Sequence, residues 1–213
     1  MKKISDSLLE TINSNTFIQF GFYHHLFNLT QLANFIRPLV QIKTKKDLKS
    51  SSALVMALSR LQKEKAKKIL KMEHYKIKNL TIYSRLITLT YSRTQEVVNK
   101  IDQIYNEIQK NNGYIALTQG TNELTIIIND ESEAIVKKQI KDQPINIARN
   151  LGAVCIKFEK KYYDTPGLLY YLLQQVFLQG VSIREITSTF TEVIIYVDQK
   201  NVKLIFDTFY NQF

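Results

Sequence analysis

The chain has 213 residues, 45% hydrophobic and 23% charged, which is enough for one to three domains with a real core and excludes wholesale disorder. Six glycines and three prolines exclude a collagen-like chain, and the single Cys155 excludes a disulfide framework or a multi-cysteine zinc site. No apolar stretch reaches the roughly 18 residues of a membrane span, and residues 1–14 lack a signal-peptide core. We therefore expect a soluble cytoplasmic protein without membrane contact.

The net charge of +10 is concentrated at the front of the chain. Residues 1–79 contain 15 Lys and Arg against 5 Asp and Glu, whereas residues 80–213 contain 14 of each sign. A basic module joined to a neutral one indicates two roles, and a polyanion is the usual partner of the basic one. The alternative is a solvated lysine-rich surface with no such partner.

The basic front, residues 1–75, is predicted to be all-helical. Asn28 is a suitable N-cap for a helix that starts at Leu29, and Pro38 is expected to kink or end that helix. Serines at 50–52 can cap a longer helix with an apolar face. That face consists of Leu54, Val55, Leu58 and Leu61.

The two helices on either side of this break are similar to a helix-turn-helix, whose second helix would meet phosphates. The basic residues on or beyond it are Arg60, Lys63, Lys65, Lys67 and Lys68. Because residues 41–49 exceed the few-residue turn of that motif, a plain helical bundle is the alternative. Adjacent histidines, His24 and His25, point to different sides of any regular element. With no third ligand at a suitable spacing, we predict no metal and no cofactor.

The neutral part contains an internal repeat at an offset of 67 residues. Residues 87–91 match residues 154–158, and both alternate apolar with other side chains, as half-buried strands do. At the same offset Gly113 matches Gly180, and each glycine ends a segment with helical apolar spacing. A hairpin and a second helix follow in both copies.

The two copies also differ at the end. The first closes with a fourth strand around residues 145–149, whereas the second finishes at Phe213 with that strand short or missing. We predict an α+β protein in which an all-α module precedes two ferredoxin-like βαββαβ units packed as a pair. The predicted domains are residues 1–75, 76–150 and 151–213.

The second copy contains four short runs that carry a resemblance. They are Leu151-Gly-Ala-Val-Cys-Ile-Lys-Phe, Asp164-Thr-Pro-Gly-Leu-Leu, Gly180-Val-Ser-Ile and Phe206-Asp-Thr-Phe, to which Ile186-Thr-Ser and Val193-Ile-Ile-Tyr-Val-Asp add two more. These runs resemble an ACT domain, in particular the tandem ACT regulatory tail of aspartokinases, over about residues 81–213. The 79 lysine-rich residues before it cannot hold a kinase domain, and there is no glycine-rich phosphate loop, so we expect no enzymatic activity.

The resemblance implies a small-amino-acid site at the turn between the first strand and first helix of the second unit. Its candidate residues are Asp164, Thr165, Pro166, Gly167, Leu168, Gly180, Val181, Ser182 and Ile183. Pro166 suits a first helical turn, Gly167 lets a ligand approach the backbone, and Asp164 or Thr165 would cap the helix. The alternative is that Asp-x-Pro-Gly forms a turn that binds nothing.

Two further features qualify that site. Ser182 stands where amino-acid-binding members of the family commonly have Asn. The first unit has no Pro-Gly at the equivalent turn, but Arg93 and Thr94 there are candidates to complete the site from across an interface.

Together these observations predict a non-enzymatic regulatory protein. Its tandem ACT pair would sense a small amino acid and form a homodimer, and its basic module would transmit that state to DNA or to a protein partner. The alternative is a pure protein–protein assembly module, or a regulatory partner of an amino-acid biosynthetic enzyme, without nucleic-acid binding.

Overall fold

The computed structural model describes residues 3–48, 50–65 and 75–212, apart from the side chains of Lys65 and Gln212. The chain divides into two compact units, Met1–Glu73 and His74–Phe213, here called the helical unit and the sheet unit. Within the described residues no helix combines the length and the apolar character that crossing a membrane requires.

The helical unit packs its helices around one apolar core. The helices are α1 (Ile4–Asn13), α2 (Thr16–Tyr23), α3 (Leu29–Thr44) and α4 (Ser52–Lys65). The predicted cap at Asn28 is confirmed, because its side chain accepts hydrogen bonds from the amides of Thr30 and Gln31 at 2.9 and 3.2 Å. The predicted apolar face of α4 is also confirmed, with Leu54 and Leu58 fully buried.

Pro38 does not end α3, contrary to one of the two predicted effects. The helix continues through it for six more residues, to Thr44. Proline in a helix interior costs about 3 kcal/mol. Ile36 and Val40 on either side of it are fully buried, and their burial offsets that cost because each contributes about 1.5–3 kcal/mol.

The sheet unit consists of one six-stranded sheet and the helices that pack against it. The first half contains β1 (Ile77–Ser92), α5 (Gln95–Lys110), β2 (Ile115–Gln119), β3 (Glu123–Asn129) and α6 (Glu133–Gln139). The second contains β4 (Asn146–Phe158), α7 (Leu168–Leu178), β5 (Ile183–Ser188), β6 (Glu192–Asp198) and α8 (Val202–Gln212). The strand order is β2-β3-β1-β4-β6-β5, and every neighbouring pair is antiparallel.

Strands β1 and β4 run through both halves of the sheet. Residues 86–92 of β1 pair with β3, while residues 77–83 pair with the end of β4. Each strand turns at one residue with left-handed backbone, Arg85 at φ 57° and Asn150 at φ 54°. The strands predicted at 145–149 and 154–158 are therefore one continuous strand, because Asn150 bends the chain without taking it out of the sheet.

A separate apolar cluster lies on the face of the sheet opposite the helices. Tyr196 of β6 is fully buried there, and its hydroxyl is 2.5 Å from the hydroxyl of Tyr114, beside β2. Three strands separate β2 from β6, which would be about 19 Å in a flat sheet. The sheet is therefore strongly curved, and the helix-free faces of its two halves pack against each other.

One ion pair predicts a pH dependence of stability. Arg149 donates two hydrogen bonds to the Glu133 carboxylate, at 2.5 and 2.7 Å, and with Lys137 it lowers the pKa of Glu133 from 4.5 to about 2. Since the folded pKa is the lower one, this stabilisation is complete above about pH 4.5 and is lost as the pH falls towards 2. In thermal melts across that range, Glu133→Gln should flatten the acid limb of the Tm profile. Glu96→Gln, exposed on α5, should leave it unchanged, and an equal effect of both would contradict the assignment.

Candidate functional site

A pocket of about 320 Å³, here called the α7 pocket, lies where β4 ends, between the loop before α7 and the β5–β6 hairpin. Its aromatic lining consists of Phe158, Tyr162, Tyr163, Tyr170 and Phe190. Hydroxyl groups come from Thr165, Ser188 and Thr189, and none of the lining residues is charged. Such a concave, mostly apolar surface with a few hydroxyls suits a small ligand with an apolar part.

Gly167 has the backbone that the turn into α7 requires. Its φ of +105° lies in the region that favours glycine, and a Cβ there would be 3.3 Å from the Tyr75 hydroxyl. That hydroxyl donates a hydrogen bond to the Pro166 carbonyl at 3.3 Å. The loop that forms one wall of the pocket is thus held by the residues just before β1.

The predicted helix start is two residues too early. Pro166 lies in the turn before α7, not in its first helical turn, and Gly167 occupies the N-cap position without any side-chain cap. Thr165 does not cap the helix either, because its hydroxyl donates to the Lys161 carbonyl at 3.2 Å. Residues Lys160–Tyr162 form a short 3-10 turn before α7, and α7 begins later than predicted. Asp164 is exposed and does not line the pocket.

The candidate ligand residues fall at the two ends of α7. Thr165, Gly167 and Leu168 line the α7 pocket together. Gly180, Val181, Ser182 and Ile183 follow the other end of the helix, about 16 Å away along its axis, and do not line the pocket. Within one chain, the structure therefore brings together only the first group.

The candidates in the first half of the sheet unit have local roles. The Thr94 hydroxyl caps α5 by accepting from the Val97 amide at 3.2 Å. With the Gln119 amide oxygen turned towards it, the Arg93 guanidinium donates to that oxygen at 2.6 and 3.0 Å. Neither residue lines the α7 pocket.

An ion pair borders the pocket without entering it. The Lys161 ammonium is 2.8 Å from the Glu159 carboxylate and 4.8 Å from the centre of the Tyr162 ring. The hydrogen bond between the two charges lowers the pKa of Glu159 and raises the pKa of Lys161. Both groups remain charged near neutral pH and compensate each other beside Tyr162, a residue of the pocket lining.

The basic residues predicted to meet phosphates are only partly described. Arg60 and Lys63 are exposed on α4, while the Lys65 side chain and Lys67 and Lys68 lie outside the described residues. Seven residues, 45–51, separate α3 from α4, more than a helix-turn-helix uses. In the part of the chain that is described, no group of three or more metal-binding side chains comes together.

Several pocket residues were not among the candidates that the sequence predicts. Tyr163 and Phe190 both line the pocket and pack against each other with ring centres 4.8 Å apart, and the Tyr75 hydroxyl holds the loop through the Pro166 carbonyl. Only Tyr163 has a sequence signal, the density of aromatic residues near the Asp164 turn, because Phe190 and Tyr75 lie far from that turn in the chain. Ring pairs at that density are more often core than site, so the signal alone does not identify them.

Comparison with known proteins finds solved structures with a similar fold. No family model matches the chain, and no curated protein matches it. Among solved structures, the aspartate kinase of Clostridium acetobutylicum aligns over 67% of this chain at a TM-score of 0.54 and 16% identity. The regulatory subunit of aspartate kinase from Thermus thermophilus aligns over 66% at a TM-score of 0.51 and 11% identity.

The aligned shares show how much of each protein is matched. The chain covers 99% of the Thermus regulatory subunit but spans only about a third of the clostridial enzyme, 36% of its length. The matched share of this chain, about two thirds, equals the share that the sheet unit represents. The predicted resemblance to the ACT regulatory region of aspartokinases is confirmed as a likeness of fold.

Proposed function

We propose that this chain is a non-enzymatic regulatory protein whose sheet unit binds a small amino acid in the α7 pocket. The observation that carries the proposal is the position of the pocket. It lies on the strand-to-helix loop of the second unit, where the ACT resemblance implies a small-amino-acid site. The likeness of fold to a regulatory subunit of aspartate kinase supports a regulatory role over a catalytic one.

The lining of the pocket favours an amino acid with an apolar side chain. The first amides of α7, at the positive end of the helix dipole, suit the ligand carboxylate. Hydroxyls of Thr165, Ser188 and Thr189 and the aromatic faces would meet the ammonium group. Because no lining side chain is charged, a ligand with an acidic or basic side chain would lose hydration without a partner.

Coupling to the rest of the protein would run through the segment before β1. Tyr75 holds the Pro166 carbonyl, and the Lys76 amide donates to the Tyr162 hydroxyl at 3.0 Å. Both contacts join the pocket loop to the first residues of the sheet unit, which follow the helical unit in sequence. A ligand that binds one arrangement of this loop better than another shifts the population towards it.

We further propose that the sheet unit consists of two ferredoxin-like units. Residues 86–92, β2, β3 and 146–149 supply the strands of the first, in the order 4-1-3-2. Residues 151–158, β5 and β6 supply three strands of the second, and residues 77–83 take the place of its missing fourth. The last strand of the second copy would thus come from the segment preceding the first.

A homodimer along the β5 edge would complete the candidate ligand set. The edge strand β5 lies next to α7, whose Phe177 and Leu178 are 63% and 62% exposed. If the β5 edges of two copies pair about a two-fold axis perpendicular to the strands, the two α7 helices run antiparallel. Residues 180–183 of one copy then approach the α7 pocket of the other. This arrangement reconciles the two groups of candidate residues that a single chain separates.

The test is a thermal melt of the protein against each standard amino acid at millimolar concentration. A ligand at 100 times its Kd adds about 2.7 kcal/mol and raises Tm by roughly 5–10 °C for a chain of this size. Leu169→Asp should abolish the shift, because it places a carboxylate beside the expected ligand carboxylate while remaining compatible with a first helical turn.

The matched control is Leu204→Asp, which makes the same change at an exposed leucine in the first turn of α8, away from the pocket. It should keep the shift. Absence of a shift with every amino acid would leave the sheet unit as an assembly module and overturn the sensing proposal.

DNA binding by the helical unit is a second proposal, supported by the charge distribution. Arg60 and Lys63 are exposed, and neither forms an ion pair within the described part of the chain. Binding of duplex DNA should weaken steeply with salt, and Arg60→Gln with Lys63→Gln should reduce that slope by about two. Affinity that barely changes between low and moderate salt would contradict it.

A further inference from the structure

A second cavity, of about 340 Å³, lies between the start of β1 and α8. Ile77, Lys78, Asn79 and Leu80 form one side, and Phe206, Phe209 and Tyr210 form the other. We propose that this β1–α8 groove binds an extended peptide with alternating apolar and acidic residues, which adds as a strand to the sheet. The site is separate from the α7 pocket and does not depend on amino-acid sensing.

The groove follows the edge of a strand. Residues 77–83 pair with β4 on one side, and in the described residues no strand pairs with their other side. Side chains of consecutive strand residues point to opposite faces, so a cavity lined by four consecutive residues lies along the strand edge. Backbone donors and acceptors at such an edge are a template for an added strand.

The floor of the groove offers apolar contacts for alternate peptide side chains. Phe209 is fully buried beneath it, and Ile77 and Leu80 are half-buried. The Tyr210 ring, 70% exposed, stacks on Phe206 with ring centres 6.0 Å apart and planes 13° apart, and forms a rim. A peptide strand that pairs with β1 places every second residue towards this floor.

The charges around the groove determine the kind of peptide. Lys76 and Lys78 are exposed beside Ile77, and neither has a side-chain partner among the described residues. The nearby Glu159 pairs with Lys161 at 2.8 Å, and the charges of Lys76 and Lys78 also lower its pKa, so one carboxylate serves three lysines and the local charge stays positive. Edge lysines also protect a sheet from aggregation, but protection alone does not require the apolar groove next to them. Acidic residues flanking the apolar positions would complement both lysines.

The experiment uses a fluorescein-labelled peptide, Glu-Val-Glu-Ile-Glu-Val-Glu, titrated with the full chain by fluorescence polarisation. Two further versions of this peptide carry N-methyl groups on alternate amides. In one version the methylated amides lie along one edge of the peptide strand, and in the other they lie along the opposite edge. Strand addition predicts saturable binding that weakens with salt. One methylated version should lose binding by about tenfold or more and the other should keep it, because only one peptide edge faces β1.

Variants locate the binding on the protein. Lys76→Glu with Lys78→Glu should weaken binding by about tenfold, whereas Lys110→Glu with Lys141→Glu, the same charge change on exposed sites of the first half, should not. Absence of binding, or equal effects of the two methylations or of the two charge changes, overturns the proposal. A dimer in sedimentation experiments that the peptide dissociates would also overturn it, because the edge would then pair with a second copy.

Discussion

Gly152→Ala should destabilise the sheet unit by about 3 kcal/mol, the upper end of what overpacking costs. A Cβ at Gly152 would lie 2.5 Å from a methyl group of Val202 and 2.9 Å from the Tyr83 carbonyl oxygen. The Val202 side chain can shift, but the Tyr83 carbonyl belongs to the backbone where β1 and β4 pair. Relief of this clash would therefore separate the two strands that join the halves of the sheet.

The measurement is chemical denaturation of the protein and of a matched control, Gly120→Ala. Gly120 lies in the β2–β3 turn, where the nearest atom to an added Cβ is 3.7 Å away, an ordinary contact. The control should change stability by no more than about 0.5 kcal/mol. If both variants unfold at the same denaturant concentration, the tight approach of β1 to β4 at Gly152 is incorrect.

The hydroxyl groups of the buried Tyr196 and the half-buried Tyr114 should show strong energetic coupling. The Tyr196 hydroxyl is 2.5 Å from the Tyr114 hydroxyl and 3.2 Å from the Thr187 hydroxyl. Burial and this hydrogen bond raise the pKa of Tyr114, so the pair stays neutral. Tyr196→Phe should cost about 1–3 kcal/mol, because it leaves the Tyr114 hydroxyl without that partner in a low-dielectric site.

A double-mutant cycle measures the coupling. Tyr114→Phe combined with Tyr196→Phe should cost clearly less than the sum of the two single changes, by about 1 kcal/mol or more. Because the two residues lie in opposite halves of the sheet, a positive result also tests its curvature. Strictly additive single effects would show that the helix-free faces do not meet at these hydroxyls.

The local pattern is sufficient to predict most elements of the fold. Alternation in residues 87–91 and 154–158, the cap at Asn28 and the glycine after α7 are all signals that neighbouring residues carry. The strand at residues 77–83 is not predicted, because neighbouring residues do not carry its signals. Its partners in β4 lie at least 70 residues later, and the bulge at Lys78 interrupts its alternation. Pairing over such a separation leaves no trace in a local window.

Only half of the candidate site can be predicted from the sequence. The Asp164–Gly167 run marks a loop that lines the α7 pocket, and Gly167 there adopts the positive φ that only glycine accepts readily. The opposite wall, formed by Ser188 and Phe190, belongs to a hairpin whose approach depends on how β5 and β6 follow β4 in the sheet. The same topology separates residues 180–183 from the loop, which motif spacing alone does not reveal.

The proposed function requires that an amino acid occupies the α7 pocket. The most direct measurement is an amide correlation spectrum of the labelled protein, titrated with the amino acid that raises Tm most. We expect the largest shifts at Gly167–Tyr170 on one wall and Ser188–Phe190 on the other, with residues around Gly113 in the first half unchanged. Saturating shifts elsewhere, with those two walls silent, would contradict the account.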